Sequence, residues 1–472
     1  MFIESHAHLY SEEFASDLAA VLDRARAAGV DKIVVPGTDL PTSRQAILLA
    51  DSYPMIYAAV GIHPHEASKA ESVDMDEIEK LSEHPRVVGI GEIGLDYHYD
   101  FSPPERQQEI FSAQIDLAIR RDLPIIIHCR EAEDDVLRIV GEKVARNSGW
   151  RSRHARDFDR YPPPRGVFHC FSGDSEMARK VIDWGFFISF PGPVTYPSKP
   201  SKTNTMAGVA TRISAEHVLL ETDCPYLAPV PLRGKRNEPA NIPLIAGKIA
   251  ELQGLSIEDI ARTSNLAAYK VFGIGSMPDP VIAYTIRDSL YLNITLRCNA
   301  DCVFCDRKGE AIVKGHNLRI TREPDTAEIT RAIGDPQKYE EIVFCGYGEP
   351  TIRLDVLKEV SGWVKSKGGR VRLNTDGHGN VINHRNIVPE LAGLVDSISI
   401  SLNAIDPKRY GELMRIDGER MFPAMVEFAS ECVQHGFDVT MTIVDLNDGE
   451  EEKAKAFVEK RIGAKFRSRI LF

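Results

Sequence analysis

Nowhere in this sequence do apolar residues run on for the roughly 18 positions that a membrane-spanning helix needs. Its opening, Met1-Phe2-Ile3-Glu4-Ser5-His6, lacks the basic stretch and long apolar run of an export signal. A membrane partner is therefore not expected, and residence in the cytoplasm is. Cysteine is sparse, eight in 472 residues, and only Cys298, Cys302 and Cys305 form a tight cluster. A chain this large does not depend on disulfide staples, which fits a reducing compartment. Positive charge is also short: 57 Lys and Arg against 69 Asp and Glu leave a formal charge of -12. That excludes a protein that coats a polyanion with its whole surface, because such binding needs many cations to displace counterions. Any nucleic acid must be met at a local site.

What is present exceeds one domain. At 472 residues and 43% apolar content, the chain is longer than the roughly 250–300 residues that one core supports, so two domains are expected. Apolar, β-rich runs at 1–6, 31–36, 56–62, 87–92, 124–128, 166–169, 185–190 and 217–222 alternate with helical patterns such as Asp17–Ala28 and Pro104–Arg121. Apolar runs at 242–254 and 265–272 follow. The pattern predicts an α/β fold, a closed parallel (β/α)8 TIM barrel over residues 1–273. It stops in Gly273-Ile-Gly-Ser-Met-Pro-Asp-Pro280, which places a linker at 274–284. A second alternation starts at Tyr291-Leu-Asn-Ile-Thr-Leu296 and continues near 341–345, 370–374, 397–402, 437–444 and 465–471. These six strands predict a partial (β/α)6 barrel, open on one side, over 285–472. Residues 146–165, with six arginines and Pro162-Pro163-Pro164, read as an exposed loop, either solvated surface or a contact to a phosphate backbone.

His6 and His8 are two apart at the end of the first strand, and the two-residue period of a strand puts both on one face. Glu92, His128, His169 and Asp223 each stand at the end of a later predicted strand. Six potential ligands thus fall where parallel barrels place their active sites. Imidazoles and carboxylates without a thiolate suit Zn or Mn, and Mg less well. Six donors exceed the needs of one open catalytic ion, so two divalent metal ions are expected, with Glu92 bridging them, an arrangement for phosphodiester or related hydrolysis. Cys129, Cys170 and Cys224 each follow a proposed ligand, but alternation turns them to the opposite side, as small buried residues. His63 and His65 read either as substrate contacts or as caps of the turn at Pro64. Arg130, Arg233, Lys235 and Arg236 favour a phosphate-bearing substrate.

Residues 1–273 resemble the TatD family of metal-dependent deoxyribonucleases through several ordered motifs. These are His6-Ala-His8, Gly61-Ile-His-Pro-His65, Gly91-Glu-Ile-Gly-Leu-Asp96, His128-Cys-Arg130, His169-Cys-Phe-Ser-Gly173, Glu221-Thr-Asp-Cys-Pro-Tyr-Leu227 and Arg233-Gly-Lys-Arg-Asn-Glu-Pro239. The resemblance implies His6, His8, Glu92, His128, His169 and Asp223 as metal ligands, with Glu92 and Asp223 catalytic. The implied activity is DNA hydrolysis, often exonucleolytic. Glu4-Ser5 stands where the family more often has Asp-Thr.

In the second half, Cys298-Asn-Ala-Asp-Cys302-Val-Phe-Cys305 follows the strand ending at Leu296. Three thiolates on such a loop can ligate three irons of one 4Fe-4S cluster and leave the fourth open to a small molecule. Zinc is the alternative, with His316 the only local candidate for a fourth ligand. The loop resembles that of the radical SAM superfamily, including the aromatic Phe304. Phe344-Cys-Gly-Tyr-Gly-Glu-Pro350 is similar to the segment by which that family holds S-adenosylmethionine. The resemblance implies that Gly346, Gly348 and Pro350 shape the cofactor site and that Glu349 binds the cofactor's amino group. It also implies reductive cleavage to a 5′-deoxyadenosyl radical, with electrons from a donor such as flavodoxin or ferredoxin. Tyr347 replaces a commoner small residue. Ser401 and Asn403 end a later strand, where they serve either the cofactor or a helix N-cap. Two readings of the whole follow. Either both halves are enzymes, or a small-molecule metallohydrolase of lactonase or amidohydrolase type carries a redox-sensing iron-sulfur module.

Overall fold

The computed structural model describes residues 1–147, 149–150, 163–197, 205–445 and 449–470. The chain divides into two compact units, Met1–Met277 and Pro278–Phe472.

The first unit is an eight-stranded parallel sheet in sequential order: β1 Phe2–Glu4, β2 Val30–Pro36, β3 Ile56–Val60, β4 Val87–Asp96, β5 Ile125–Arg130, β6 Gly166–Phe168, β7 Phe186–Phe190 and β8 Val218–Leu220. The sheet curls until its ends meet. Ser5 N donates to Leu220 O at 2.9 Å, Asp223 N to His6 O at 3.0 Å and His8 N to Cys224 O at 2.8 Å. The residues that close the barrel are thus the ones carrying His6, His8 and Asp223. One side chain from each strand, Ile3, Val34, Ala59, Val88, Ile126, Val167, Phe187 and Leu219, packs into a common cluster. The amphipathic helix Ile257–Phe272 adds Ala267, Ala268, Val271 and Phe272 to that cluster, at the end where the strands begin. Ser256 and Asp259 start this helix by capping each other's backbone N–H, and Gly273, at φ 70°, stops it in the left-handed conformation that glycine adopts without a Cβ clash. With one end plugged by apolar burial, the polar strand ends face the open mouth.

The second unit holds β9 Ala283–Ile286, β10 Ser289–Asn293, a small hairpin of β11 Ile312–Val313 and β12 His316–Asn317, then β13 Ile342–Cys345, β14 Val371–Thr375, β15 Ser397–Ser401, β16 Asp438–Asp445 and β17 Lys465–Ile470. The main sheet runs β17-β16-β15-β14-β13-β10-β9, with the six strands expected from the sequence parallel to one another. Its apolar face, including Leu292, Phe344, Leu373, Ile400 and Met441, is covered by helices that contribute Leu357, Tyr410 and Phe428. β9 is an addition that sequence reading assigned partly to the linker. It pairs antiparallel with β10 through the two-residue connection Arg287-Asp288, with Arg287 at φ 56°. The connection lacks the Asn-Gly or Asp-Gly signature that announces such hairpins.

Of the arginine-rich segment 146–165, residues 148 and 151–162 lie outside the described residues; at its flanks Trp150 and Arg165 are buried. Leu471, the last residue of the expected final strand, also lies outside. Among the described residues no helix is long and apolar enough to cross a membrane.

Candidate functional site

At the mouth of the barrel Glu92, near the middle of the fully buried β4, is surrounded by imidazoles. His128 Nδ1, His169 Nε2 and His63 Nε2 lie 2.9, 2.8 and 3.4 Å from Glu92 Oε1. His6 Nε2 and His8 Nε2 lie 3.3 and 3.6 Å from Oε2, and 3.8 and 3.4 Å from Asp223 Oδ1. The six residues singled out from the sequence therefore converge, and the two oxygens of Glu92 face two different groups of them. His63 joins the second group through Nε2, while its Nδ1 accepts from His65 N at 3.2 Å, so it also caps the turn at Pro64.

The arrangement fits bound cations. His6 Nε2 faces His8 Nε2 at 3.3 Å, and His128 Nδ1 faces His169 Nε2 at 3.3 Å. Each such nitrogen pair can share only one proton, whereas a cation would accept every inward lone pair. His6 Nδ1 and His169 Nδ1 are buried and make no hydrogen bond. The ionisation of the cluster is correspondingly uneven. Burial and His169 pull His6 down to about 4, and burial pulls His63 down to about 4. For His8, burial is outweighed by Tyr10, Asp223 and Glu92, which carry it up to about 10; for His128, burial is outweighed by Asp96 and Glu92, which carry it up to about 9. Burial opposes charge on Glu92, yet His169, His63 and His6 hold it well below the usual carboxylate range. Among the described residues, three groups at this mouth lie close enough together to hold an ion, His6-His169-Glu221, His6-His8-Glu92 and His63-Glu92-His128, and they are made of histidines and carboxylates. Cys129, Cys170 and Cys224 stay outside them, their thiols pushed up by burial.

Three supporting carboxylates escaped sequence reading as site residues. Asp96 Oδ2 lies 3.1 Å from His128 Nε2 and 2.9 Å from His65 Nε2. Glu4 accepts from His6 N and Thr222 N, both at 3.0 Å, and so ties the two closing segments together. Glu221 accepts from Cys170 N at 2.6 Å and Ser189 Oγ at 2.7 Å, behind His169. Among the basic residues, Arg130 lies over the Tyr99 ring at 4.9 Å and Arg233 over Tyr196 at 4.6 Å. Arg236 is engaged elsewhere, donating to Asp17 at 2.8 Å, and is not free for substrate; Lys235 is exposed.

In the second unit the cysteine loop crosses the end of β13. Glu349 N donates to Arg297 O at 2.9 Å, and a Cβ on Gly348 would lie 2.2 Å from Thr295 O. Gly348 thus admits the chain's own backbone. Gly346 adopts φ 119°, against Asn293. The Glu349 carboxylate is buried beside Pro350 and accepts from Thr351 N, Thr351 Oγ1, Thr375 Oγ1 and Asp376 N at 3.0, 2.7, 2.9 and 2.8 Å. Burial and neighbouring Asp376 push it up to about 8. The loop itself is fixed by Asp301 N and Val303 N, which donate to Met414 O and Leu413 O, and by Asn299 Nδ2 at 2.9 Å from His378 Nδ1. Buried His378 is held in turn by Tyr410, whose hydroxyl lies 3.0 Å from its Nε2.

Cys298, Cys302 and Cys305 are half-buried, and burial carries the first two up to about 12. Three thiols in a desolvated loop, where they are poor acids alone, suit a cluster whose irons would stabilise the thiolates. His316, the alternative zinc ligand, is occupied by Thr285 O at 2.9 Å. Ser401 ends β15, and Asn403 sits beyond it at φ 57°, its Oδ1 buried without a partner, as is Asn374 Oδ1 at the end of β14. Such unsatisfied polar atoms fit a polar cofactor. The N-cap alternative for Ser401 and Asn403 does not hold, because Asp406 caps the next helix by accepting from Arg409 N.

Residues 3–273 match the family described as TatD related DNase, and residues 292–460 match the radical SAM superfamily. The chain is 42% identical over 276 residues to the uncharacterized metal-dependent hydrolase YabD of Bacillus subtilis, covering 58% of this chain and 100% of that protein. It is 34% identical over 271 residues to the 3'-5' ssDNA/RNA exonuclease TatD of Klebsiella pneumoniae, covering 57% of this chain and 96% of that one. The crystal structure of YJJV, a TatD homolog from Escherichia coli K12, superposes with a TM-score of 0.51 at 30% identity, covering 58% of this chain and 98% of its own. With a metal-dependent hydrolase barrel followed by a second enzyme domain, the chain belongs to the TatD related DNase family and fuses that domain to one of the radical SAM superfamily.

Proposed function

We propose that the N-terminal domain, over residues 1–273, hydrolyses phosphodiester bonds of DNA or a related nucleic acid in a reaction that requires divalent metal. The observation that carries this is the position of Glu92, with one oxygen toward His6 and His8 and the other toward His128 and His169. In this reading His6, His8, Asp223 and one Glu92 oxygen hold one ion, and His128, His169 and the other oxygen hold a second, with His63 beside it. Two such ions, when bound, polarise a water and stabilise both oxygens of an in-line displacement. Asp223 and Glu92 would then orient the attacking water, and Arg130 would steady a neighbouring phosphate. The name of the Klebsiella relative supports an exonucleolytic mode on single strands.

For residues 285–472 we propose one 4Fe-4S cluster on Cys298, Cys302 and Cys305, with S-adenosylmethionine held near Gly346, Gly348, Glu349, Ser401 and Asn403. Given one electron from a flavodoxin or ferredoxin type of donor, this domain would split the cofactor into methionine and a 5′-deoxyadenosyl radical that takes hydrogen from a substrate. Glu349 would contribute a fixed carboxylate, since Thr351, Thr375 and Asp376 hold it from behind. The test is to incubate the anaerobically purified full chain with end-labelled single-stranded DNA, with and without chelator, and separately with S-adenosylmethionine and dithionite. Metal-dependent shortening of the DNA and release of 5′-deoxyadenosine are expected. Hydrolysis of a lactone or amide with DNA untouched would assign the barrel to small molecules instead.

A further inference from the structure

The two faces of the main sheet in the second unit differ in kind. Leu292, Phe344, Leu373, Ile400 and Met441 belong to the core under the helices, and Phe466 packs against it. Alternation therefore turns Tyr291, Cys345, Arg372, Asn374, Arg467 and Arg469 to the other face. Asn374 Nδ2 lies there 3.4 Å from Cys345 Sγ. β17, which carries Arg469, stands four places from β13 and five from β10 in the sheet, yet Cys345 and Tyr291 both act on the Arg469 charge. Four strand spacings of a flat sheet would span about 19 Å, so the sheet is curled, with this polar face on its concave side.

Arg469 is the unbalanced charge on that face. Its Nε is buried without a hydrogen bond, as are those of Arg86, Arg121 and Arg372. Those three are anchored through another nitrogen, Arg86 on Ile56 O, Arg121 on Glu83 and Arg372 on Glu341 at 3.1 Å. Arg469 has no hydrogen-bond or ion-pair partner among the described residues. Burial, with Arg467 beside it, holds its guanidinium below the ordinary range. A guanidinium withdrawn from water without a counterion is costly, and a bound anion removes that cost. A second donor faces the same space. Arg372 Nη2 donates to the Tyr291 oxygen at 3.1 Å, so the tyrosine's own proton is left to donate, and no acceptor among the described residues takes it. Tyr284, paired with Tyr291 across β9 and β10 and stacked on it at 5.5 Å, holds that ring in place.

We propose that this concave face binds an oxyanion, a carboxylate or a phosphate, on the molecule that the radical domain acts on, with Arg469 as its cationic anchor and the Tyr291 hydroxyl as a second donor. The proposal rests on the radical SAM reading above. Cys345 ends β13 and is followed directly by Gly346, so the site adjoins the segment read as holding the cofactor. An anion fixed on Arg469 would hold the rest of its molecule against the strand ends, where a radical formed on the cofactor can reach it. A neutral molecule would leave the guanidinium as unbalanced as before, and so the site selects for charge.

The test maps the reaction of Arg469 with phenylglyoxal, which attacks free guanidinium groups, by peptide mass spectrometry. It uses the full chain, anaerobically reconstituted and supplied with S-adenosylmethionine. Arg469 should be modified, and succinate or inorganic phosphate should largely block the modification where sodium chloride of equal ionic strength does not. Protection by succinate alone makes the group a carboxylate, and protection by phosphate alone makes it a phosphoryl group. Tyr291→Phe keeps the ring and should raise the concentration for half-protection about tenfold, the loss of one hydrogen bond to a charged group. An Arg469 that the reagent never reaches, protection by neither anion, or equal protection by chloride would overturn the proposal. So would a Tyr291→Phe protein protected as well as the wild type. If protection holds in a chain that takes up no iron, the cluster reading fails and the anion site stands; if 5′-deoxyadenosine is released but neither anion protects Arg469, the reverse holds.

Discussion

Asp96 Oδ2 lies 3.1 Å from Nε2 of His128, on the opposite edge of the imidazole from the 2.9 Å contact between His128 Nδ1 and Glu92 Oε1. Burial works against charge on Asp96, but His128 and His65 hold it well below the usual carboxylate range. An ionised Asp96 can only accept, so once an ion displaces the proton that Glu92 favours on Nδ1, it would keep the remaining His128 proton on Nε2 and leave the Nδ1 lone pair for the cluster.

Asp96→Asn would reverse that polarity. With its oxygen retained by His98 N and Tyr99 N, the new amide would present N–H to His128 Nε2 and drive the proton to Nδ1. Metal affinity should fall about 10–100-fold, the usual effect of removing such a partner. Titration of the metal-free protein with Mn or Zn measures it, and circular dichroism should be unchanged. An unaltered affinity would show that Asp96 serves only the turn.

Glu92 is the next position to remove. Because both of its oxygens face imidazoles, Glu92→Ala should lower bound metal and hydrolysis together, the latter by about a thousandfold. Chelation of the wild type should remove hydrolysis and re-addition of divalent metal restore it. Full activity in a metal-free preparation, or in the Glu92→Ala protein, would defeat the two-ion reading.

The contrast between Glu92 and Asp96 also marks what was legible in the sequence. His6, His8, Glu92, His128, His169 and Asp223 were found because each ends an apolar run that predicts a strand, and the topology of a parallel barrel brings such ends together, although the observed β4 runs on past Glu92 to Asp96 and β1 stops at Glu4. Asp96 stands four residues beyond Glu92 in the same strand, and its role depends on which imidazole edge turns toward it, which no spacing encodes. His63 was read as substrate contact or cap because its ring direction is likewise a tertiary fact. The six parallel strands of the second unit were readable from strand-like runs alternating with helical segments, whereas β9 was hidden because the connection Arg287-Asp288 lacks the Asn-Gly or Asp-Gly signature. Gly348 was legible as a glycine that must be there, but the atoms it makes room for are those of Thr295 and Arg297.

At the cysteine loop, replacing any one of Cys298, Cys302 and Cys305 with Ala should abolish release of 5′-deoxyadenosine after anaerobic reconstitution and reduction, because three ligands are needed to hold the cube. Iron and sulfide analysis of the wild type should give one 4Fe-4S cluster. Stoichiometric zinc with no iron uptake would end this assignment.

The loop's attachment can be tested apart from its ligands. His378→Leu removes the buried partner of the Tyr410 hydroxyl and the anchor of the exposed Asn299. A hydroxyl left unsatisfied in the interior costs about 1–3 kcal/mol, so the second unit should unfold at lower denaturant. Tyr410→Phe, which removes only the outer bond, should cost about 1 kcal/mol. Iron should also be lost faster from His378→Leu than from Tyr410→Phe when the protein is held with an iron chelator. Equal rates would mean that Leu413 and Met414 alone fix the loop.

The predicted boundary after Gly273 lies at the end of the helix that plugs the barrel, but Ile274 beyond it is 1% exposed and belongs to the same cluster as Ile3 and Phe272. A Cβ on Gly275 would lie 2.5 Å from Asn265 Oδ1 and 3.1 Å from Ile3 Cδ1, so the backbone stays against the first unit for three residues past Phe272. Compact contacts of the first unit end at Met277, and those of the second start at Pro278. Residues 1–277 expressed alone should therefore fold and keep most of the metal-dependent hydrolysis, since every member of the Glu92 cluster lies within them. Residues 1–273 should fold less stably by about 2–5 kcal/mol, the range for deleting a buried Ile or Leu side chain. Denaturant unfolding of the two fragments compares them directly. Equal stability would mean that Ile274 packs weakly, and an inactive 1–277 fragment rescued by adding residues 278–472 would mean that the hydrolase needs the second domain to complete its site.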